Sequence, residues 1–318
     1  MDSRQLRYFC AVYEQRNLSR AANQCAVAQS ALSHHIANLE AEFGQSLFAR
    51  KPRGMEPTAA GAQLYDHAKS ILRALAVAER DMKSAGDDIA GEVSIGMAHS
   101  AVKAIGLPLM KTVLDRYPKL RVSLTESLSA STLTHLLSSE VDLAVVYNPP
   151  ADQHLRTEPV LEERMVCVGT REIIGDTDDP IRFDELLKLP IILLRQGVSS
   201  RALLDDTALL RKLEVSAKLE MNSVYAIRDA LVAGLGCVIG TTLFMQEPIA
   251  SGRVHYRQIV APELSRTLYL CQMADQPATF LLEAMRRLIL DLIQTQISSG
   301  NWDARSLIGS VAGSRGRP

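Results

Sequence analysis

The five cysteines of this 318-residue chain, Cys10, Cys25, Cys167, Cys237 and Cys271, lie scattered. No C-x-x-C pair joins them and no histidine stands at metal-ligand spacing, so a zinc site is excluded and reduced thiols are expected. No apolar run is long enough to span a membrane. No basic-plus-apolar leader opens the chain either, because MDSRQLRYF passes straight into an amphipathic helix. A cytoplasmic protein with no membrane partner is expected. Charge of one sign is also missing: the formal net charge is -1, which argues against wholesale coating of nucleic acid. A catalytic constellation is not found. His99 beside Ser100 is the nearest thing to a Ser/His pair, but neighbours in sequence point in different directions and no acid matches them. His135 and His154 lack partners. The chain reads as no enzyme, and no cofactor is called for.

What is present is ordinary in bulk and specific in pattern. Hydrophobic content of 47% and charged content of 22% describe a globular chain. Its length calls for a small domain and a larger one. A first helix is expected from Ser3 to Gln15, burying Leu6, Phe9, Cys10 and Tyr13 against Ala21, Ala22 and Cys25. A short Ala-rich helix follows, with Ser19 suited to cap it. A second amphipathic helix starts near Gln29, with apolar residues at Leu32, Ile36, Leu39 and Phe43 facing a core. Its other face carries Gln29, Ser30, Ser33, His34 and Asn38. A solvated face usually carries Lys and Glu, so this polar, nearly uncharged one suits base edges better than water. Gly44 fits the helix stop. A hairpin follows with Arg50, Lys51 and Arg53 around its tip, within reach of phosphates. Helix, turn, helix and basic hairpin together make a winged helix-turn-helix, and double-stranded DNA is the expected partner. Residues 1–60 hold seven Arg/Lys against five Asp/Glu, a net of +2, so affinity must come from dimerisation and specific contacts as well as charge.

The run AxxxxxxQSALSHHIxxLE, followed by LFxRxxRGMxPTxAG, resembles the DNA-binding half of LysR-type transcriptional regulators. The hairpin's wording is also similar to a subgroup that includes nitrogen-assimilation regulators. Ser30 stands where that family usually has Pro and reads as a different helix cap with an added phosphate contact. His34 stands where the family often has Arg. Ser33, His34 and Asn38 would read bases, with Gln29 and Ser30 at the helix start.

Thr58 then caps a long helix reaching about Ser84, with Leu64, Ala68, Ile71, Leu75, Ala78 and Met82 at heptad spacing. One helix packed on its own domain would explain part of that pattern; pairing with a second copy explains its length. A homodimer, and in this family a homotetramer, implies a dyad-symmetric operator. RNA polymerase is a further partner that such a regulator admits. The segment from Gly86 to Gly91 reads as a hinge.

From Glu92 short apolar strands alternate with helices, which predicts an α/β domain with mostly parallel strands. The resemblance implies a two-lobed domain like type 2 periplasmic binding proteins. The domains expected are 1–60 for DNA binding, 58–90 for the linker helix and hinge, and 91–296 for effector binding. Within the last, lobe I comprises 91–162 and 266–296, lobe II comprises 163–265, and 297–318 is expected to be a disordered tail. Effectors sit beyond strand ends, where helix N-termini present free N–H groups. Ser100, Ser129 and Ser131 occupy such points and match places where the family puts hydroxyls on its ligand. Simple capping would explain them as well. Tyr147, the Gln196 to Ser200 turn, Asn222 and Ser223 are further candidates, and Arg195 could pair a small anionic metabolite. Thr241 stands where the family often has Pro. Rival readings are a redox-responsive regulator using Cys237 and Cys271, an enzyme on the α/β half, and a transport receptor.

Overall fold

The computed structural model describes residues 1–51, 54–83, 90–194, 204 and 206–309, which fall into two compact units, Met1–Asp87 and Asp88–Pro318. The first unit runs α1 (Ser3–Gln15), α2 (Leu18–Gln24), α3 (Gln29–Phe43), β1 (Phe48–Lys51), β2 (Gly54–Pro57) and α4 (Ala59–Lys83). Asp2 caps α1 in a reciprocal box with Gln5. Leu6, Phe9, Cys10 and Val12 of α1 bury against Ala21, Ala22, Leu32, Ile36 and Leu39. Two sequence expectations need correction at the helix starts. Asn17, not Ser19, caps α2, accepting from the Arg20 amide at 3.1 Å, because that helix begins two residues earlier than a Ser19 cap implies, at Leu18. The cap of α3 is the extended residue Ala28, with no side-chain bond, so Ser30 lies inside the first turn and caps nothing.

Phe43 was expected in the core stripe but is exposed, since α3 ends there and Gly44 takes the left-handed conformation (φ 64°) that closes the helix. The β1–β2 hairpin is pinned at its base. Glu40 accepts from the amides of Leu47 and Phe48 at 2.8 and 3.2 Å. Thr58 accepts from the Gly61 amide at 3.0 Å and donates to the Ser46 carbonyl at 2.7 Å. A Cβ on Gly61 would sit 2.2 Å from the Leu47 carbonyl, so only glycine lets α4 dock there.

The second unit runs β3 (Gly91–Met97), α5 (His99–Ala101), a π-helical turn (Val102–Gly106), α6 (Leu107–Arg116), β4 (Leu120–Glu126), α7 (Ser129–Leu137), β5 (Leu143–Tyr147) and β6 (Leu155–Arg164). It continues β7 (Val166–Gly169), α8 (Arg171–Ile174), β8 (Ile181–Arg182), α9 (Phe183–Leu186), β9 (Ile191–Leu194), α10 (Thr207–Ser216), β10 (Ala217–Met221) and α11 (Val224–Val232). The remainder is β11 (Val238–Gly240), α12 (Gln246–Ala250), β12 (His255–Val260), β13 (Ser265–Met273), α13 (Phe280–Ser298) and β14 (Arg305–Ser306). One lobe holds a six-stranded sheet in the order β14-β6-β13-β5-β3-β4; the other holds the sheets β11-β7-β12-β8 and β10-β9. The chain crosses between lobes at two adjacent points, where the Met165 amide donates to the Leu264 carbonyl at 2.8 Å.

The strands are mixed rather than mostly parallel: β3 runs parallel to β4 and β5, but β13 is antiparallel to both β5 and β6. Strands β6, β8, β12 and β14 are short or charge-rich and lack the apolar runs that mark the others. In β6, Pro159 breaks the apolar pattern, and the sheet accommodates it with a register shift opposite Leu268/Tyr269. Helix α10 begins at Thr207, where Asp206 accepts from the amides of Ala208 and Leu209.

The tail needs a larger correction. Residues 297–309 are not disordered: α13 runs to Ser298, and β14 then pairs with β6 through Arg305↔Glu162 and Ser306↔Leu161. Trp302 lies buried in the core of Val93, Ile95, Leu109, Leu268 and Ile289. A Gly/Ser/Arg-rich average conceals a single aromatic that anchors the segment. Residues 310–318, and the hinge at 84–89, lie outside the described residues.

Candidate functional site

On α3, Gln29, Ser30, His34 and Asn38 are exposed and Ser33 is half-buried, opposite the buried Leu32, Ile36 and Leu39. These five share the solvent face because the apolar stripe uses the other. The Ser19 hydroxyl donates to Gln29 Oε1 at 2.9 Å, which ties α2 to the start of α3 and leaves the Gln29 amide nitrogen to donate outward contacts. On the hairpin, Lys51 is exposed and pairs with Glu56 at 3.7 Å, a surface pair weak enough to yield to a phosphate. The Arg50 side chain and Arg53 lie outside the described residues.

Along α4 the heptad stripe divides. Leu64 and Ala68 pack into the core of their own unit, beside the stacked rings of Tyr13 and Tyr65 at 3.9 Å, so they are not available to a second copy. The Tyr65 hydroxyl donates to Glu14 at 2.9 Å and fixes that packing. Ile71 and Ala78 are exposed, Leu75 is half-buried, and the Met82 side chain lies outside the described residues.

In the second unit a cavity of about 50 Å³ opens between the lobes. One wall is Ala98, His99 and Ser100 after β3, Leu128 and Ser129 at the start of α7, Tyr147 at the end of β5, and Arg266 on β13. The other wall is Leu194, Val224, Ile227, Val238, Thr241 and Phe244. Of the residues expected here, Ser100, Ser129 and Tyr147 line the cavity. Ser129 is already engaged, accepting from the Tyr147 amide at 3.1 Å. Ser131, Asn222 and Ser223 are exposed and do not line it. Ser131 is turned away because α7 starts at Ser129, and Ser223 caps α11 by accepting from the Ala226 amide. Arg195 and the Gln196 to Ser200 turn lie outside the described residues.

Sequence reasoning missed the charged centre of this site. Arg266, its side chain only 10% exposed, donates through Nε (2.6 Å) and Nη2 to Glu163 Oε1, and through Nη2 to Ser100 Oγ at 3.1 Å. Its guanidinium lies 3.7 Å over the Tyr147 ring. Burial opposes its charge, but Glu163 and Tyr147 outweigh that and raise its pKa. The signal was available: Leu268 and Leu270, two and four residues on, are buried, so Arg266 sits on the inward register of its strand.

The Tyr147 hydroxyl lies beside Ser100 and Glu163 without a well-formed hydrogen bond, and burial, then Glu163, pushes its pKa up. Thr241 Oγ1 is also buried without a partner. Two hydroxyls with bonding capacity unused thus line the cavity beside the Arg266 guanidinium.

Contacts from Lys103 and His99 cross between the lobes beside the cavity. Lys103 Nζ donates to the Leu243 carbonyl at 2.6 Å, and burial lowers its pKa. The His99 ring meets Tyr225 and Phe244 edge-on at 6.0 and 6.2 Å. An acid does match His99, contrary to expectation: Glu126 Oε1 lies 2.7 Å from its Nδ1, across 27 residues of sequence. Ser100 is bonded by Arg266 rather than by His99. His135 and His154 also have acidic neighbours, Glu140 at 3.9 Å and Asp152 at 2.9 Å, both local surface pairs. Cys237 and Cys271 lie in separate cores and cannot pair. Cys237 neighbours Cys167, whose thiol is held well above the ordinary range by that contact and by burial; burial pushes Cys271 up to about 12. Among the described residues no His/Cys/Asp/Glu group could hold a metal, and no helix is long and apolar enough to cross a membrane.

Comparison with known proteins agrees with both units. Residues 3–62 match the bacterial regulatory helix-turn-helix protein, lysR family, and residues 86–294 match the LysR substrate binding domain. The chain belongs to the LysR family of transcriptional regulators. It is 30% identical to the nitrogen assimilation regulatory protein nac of Klebsiella aerogenes, covering 92% of this chain and 95% of that one. Among solved structures, a full-length OxyR variant from Pseudomonas aeruginosa superposes with a TM-score of 0.70 at 21% identity, over 92% of this chain and 95% of that one. Full-length CbnR complexed with its target DNA gives 0.61 at 20% identity, over 93% and 99%. These LysR-family structures share the winged helix-turn-helix and the two-lobed α/β fold. As a member of that family, this LysR-type regulator carries a DNA-binding and an effector-binding domain.

Proposed function

We propose that this LysR-type regulator binds a small metabolite with a carboxylate head and a short apolar body between its lobes, and that binding changes its occupancy of a dyad-symmetric operator. The unpartnered hydroxyls of Tyr147 and Thr241, beside the Arg266 guanidinium, carry the reading. They can take a carboxylate, while Leu128, Leu194, Ile227 and Phe244 enclose the body. A cavity of about 50 Å³ holds only a few waters. A metabolite therefore favours a wider separation of the lobes, at the expense of the Lys103–Leu243 contact, and shifts the balance between two arrangements. On this reading Gln29, Ser30, Ser33, His34 and Asn38 face bases, with Lys51, Arg50 and Arg53 toward phosphates. Ile71, Leu75, Ala78 and Met82 pair α4 with a second copy, giving dimers and tetramers. RNA polymerase is a further partner at the promoter. The protein works in the cytoplasm, without a cofactor and without catalysis.

The test is a footprint on DNA upstream of its own coding region, at fixed salt with excess competitor, titrated with straight-chain monocarboxylates. A dyad-symmetric footprint that changes with one of these acids is expected, as is a dose–response weakened about tenfold in Thr241→Val, the loss of one hydrogen bond to a charged group. Binding that fades equally for all sequences as salt rises would refute the operator reading. An unchanged Thr241→Val response would refute the site.

A further inference from the structure

The buried carboxylate of Glu163 is shared between two partners that come from distant parts of the chain. Its Oε1 takes the Nε and Nη2 groups of Arg266, and its Oε2 takes the indole Nε1–H of Trp302 at 2.8 Å. Glu163 and Trp302 are each 1% exposed. The segment bearing Trp302 is fastened at several points: the Trp302 amide to the Gln296 carbonyl, Arg305 to Glu162 at 2.6 Å, the Ser306 hydroxyl to Gln294 at 2.6 Å, and the Leu307 amide to the Val160 carbonyl at 2.8 Å. This segment lies beyond residue 294, where the match to the LysR substrate binding domain ends.

An arginine facing a carboxylate with both oxygens open pairs through two parallel N–H···O bonds, which here would draw Nη2 onto the second oxygen and away from Ser100. Here Trp302 occupies the second oxygen. Arg266 is confined to Oε1 and reaches Ser100 with Nη2, at the wall of the cavity. A residue that only filled space would need the ring of Trp302 but not its N–H.

We propose that Trp302, acting through Glu163, is a positioning residue for the effector site: the C-terminal segment holds the Arg266 guanidinium toward the cleft. The ligand arm of this proposal rests on the carboxylate reading above; the positioning itself does not. Trp302 is the only tryptophan in the chain, so its emission reports this one place.

The experiment uses the full-length protein, with fold checked by circular dichroism. Calorimetric titration with the monocarboxylates acetate to hexanoate compares wild type with Trp302→Phe, which keeps an aromatic ring and removes the N–H. About tenfold weaker binding is expected, because Arg266 turns onto the vacated oxygen. Separately, the emission maximum and lifetime of Trp302 are recorded without ligand in wild type and Arg266→Lys, which keeps the charge and removes the fork. A shift in both is expected. Trp302→Phe binding carboxylates as tightly as wild type would overturn the proposal, and so would emission unchanged in Arg266→Lys. If wild type binds none of these acids, the carboxylate reading fails, and the emission comparison alone decides the positioning role. It also decides if Trp302→Phe does not fold.

Discussion

Replacing Arg266 with Met should destabilise the effector-binding unit severely, because it strands a buried charge. Glu163 is 1% exposed and Arg266 10%, so neither can draw on solvent. After the change Glu163 keeps only the Trp302 N–H, on one oxygen. Breaking a buried pair from one side costs about 3–5 kcal/mol. For a unit of this size each kcal/mol lowers the melting temperature by roughly 2–4 °C, which gives a drop of about 6–20 °C. The assay is thermal unfolding followed by tryptophan fluorescence, since the sole tryptophan lies in that unit. Two controls sharpen it. Adding Glu163→Gln to Arg266→Met should recover most of the loss, because the stranded charge is gone. Raising the salt concentration should leave the difference in place, because a buried pair is poorly screened. A drop smaller than about 3 °C, or a double variant worse than either single one, would refute the account of a desolvated pair.

Two further outcomes follow from the remaining surfaces. Ile71 is 42% exposed on α4, so Ile71→Lys should weaken self-association by roughly a hundredfold, two apolar side chains being lost per dimer; an unchanged mass distribution in sedimentation at micromolar concentration would remove Ile71 from the interface. On α13, bonds from Arg286, opposed by burial and aided by Arg287, lower the Glu283 carboxyl to about 2 from its ordinary 4.5. A depressed folded-state pKa stabilises above 4.5, and that stability is lost as pH falls from there through about 2. Solvent screens this half-exposed carboxylate, so the effect is about 1 kcal/mol. The gap in melting temperature between wild type and Glu283→Gln should therefore narrow from pH 6 to pH 3, and a constant gap would contradict the assignment.

Local chemistry was legible wherever it repeats at short range. Spacings of three and four residues from Leu32 to Leu39 located the recognition helix, and Gly44 marked its end. Short apolar runs after Glu92 marked an α/β unit, and the order of elements identified two domains. What misled were features whose meaning depends on a distant partner. Ser131 and Ser223 look alike to Ser100 in sequence, all at helix starts; only the packing turns Ser100 to the cavity and leaves the others to solvent. Leu64 and Ala68 fit a heptad equally well whether they face a second copy or their own domain.

The sequence by itself determined the helix-turn-helix and the α/β unit, because periodicity and turn residues act over a few positions of chain, and its motifs carried the resemblance that implied the family and the two-lobed class. The tertiary structure alone decided the charged centre of the cleft. Arg266 meets Ser100 across 166 residues and Glu163 across 103, and Glu163 meets Trp302 across 139. A buried charge is tolerable only where such partners converge, and no local pattern in the chain encodes that convergence.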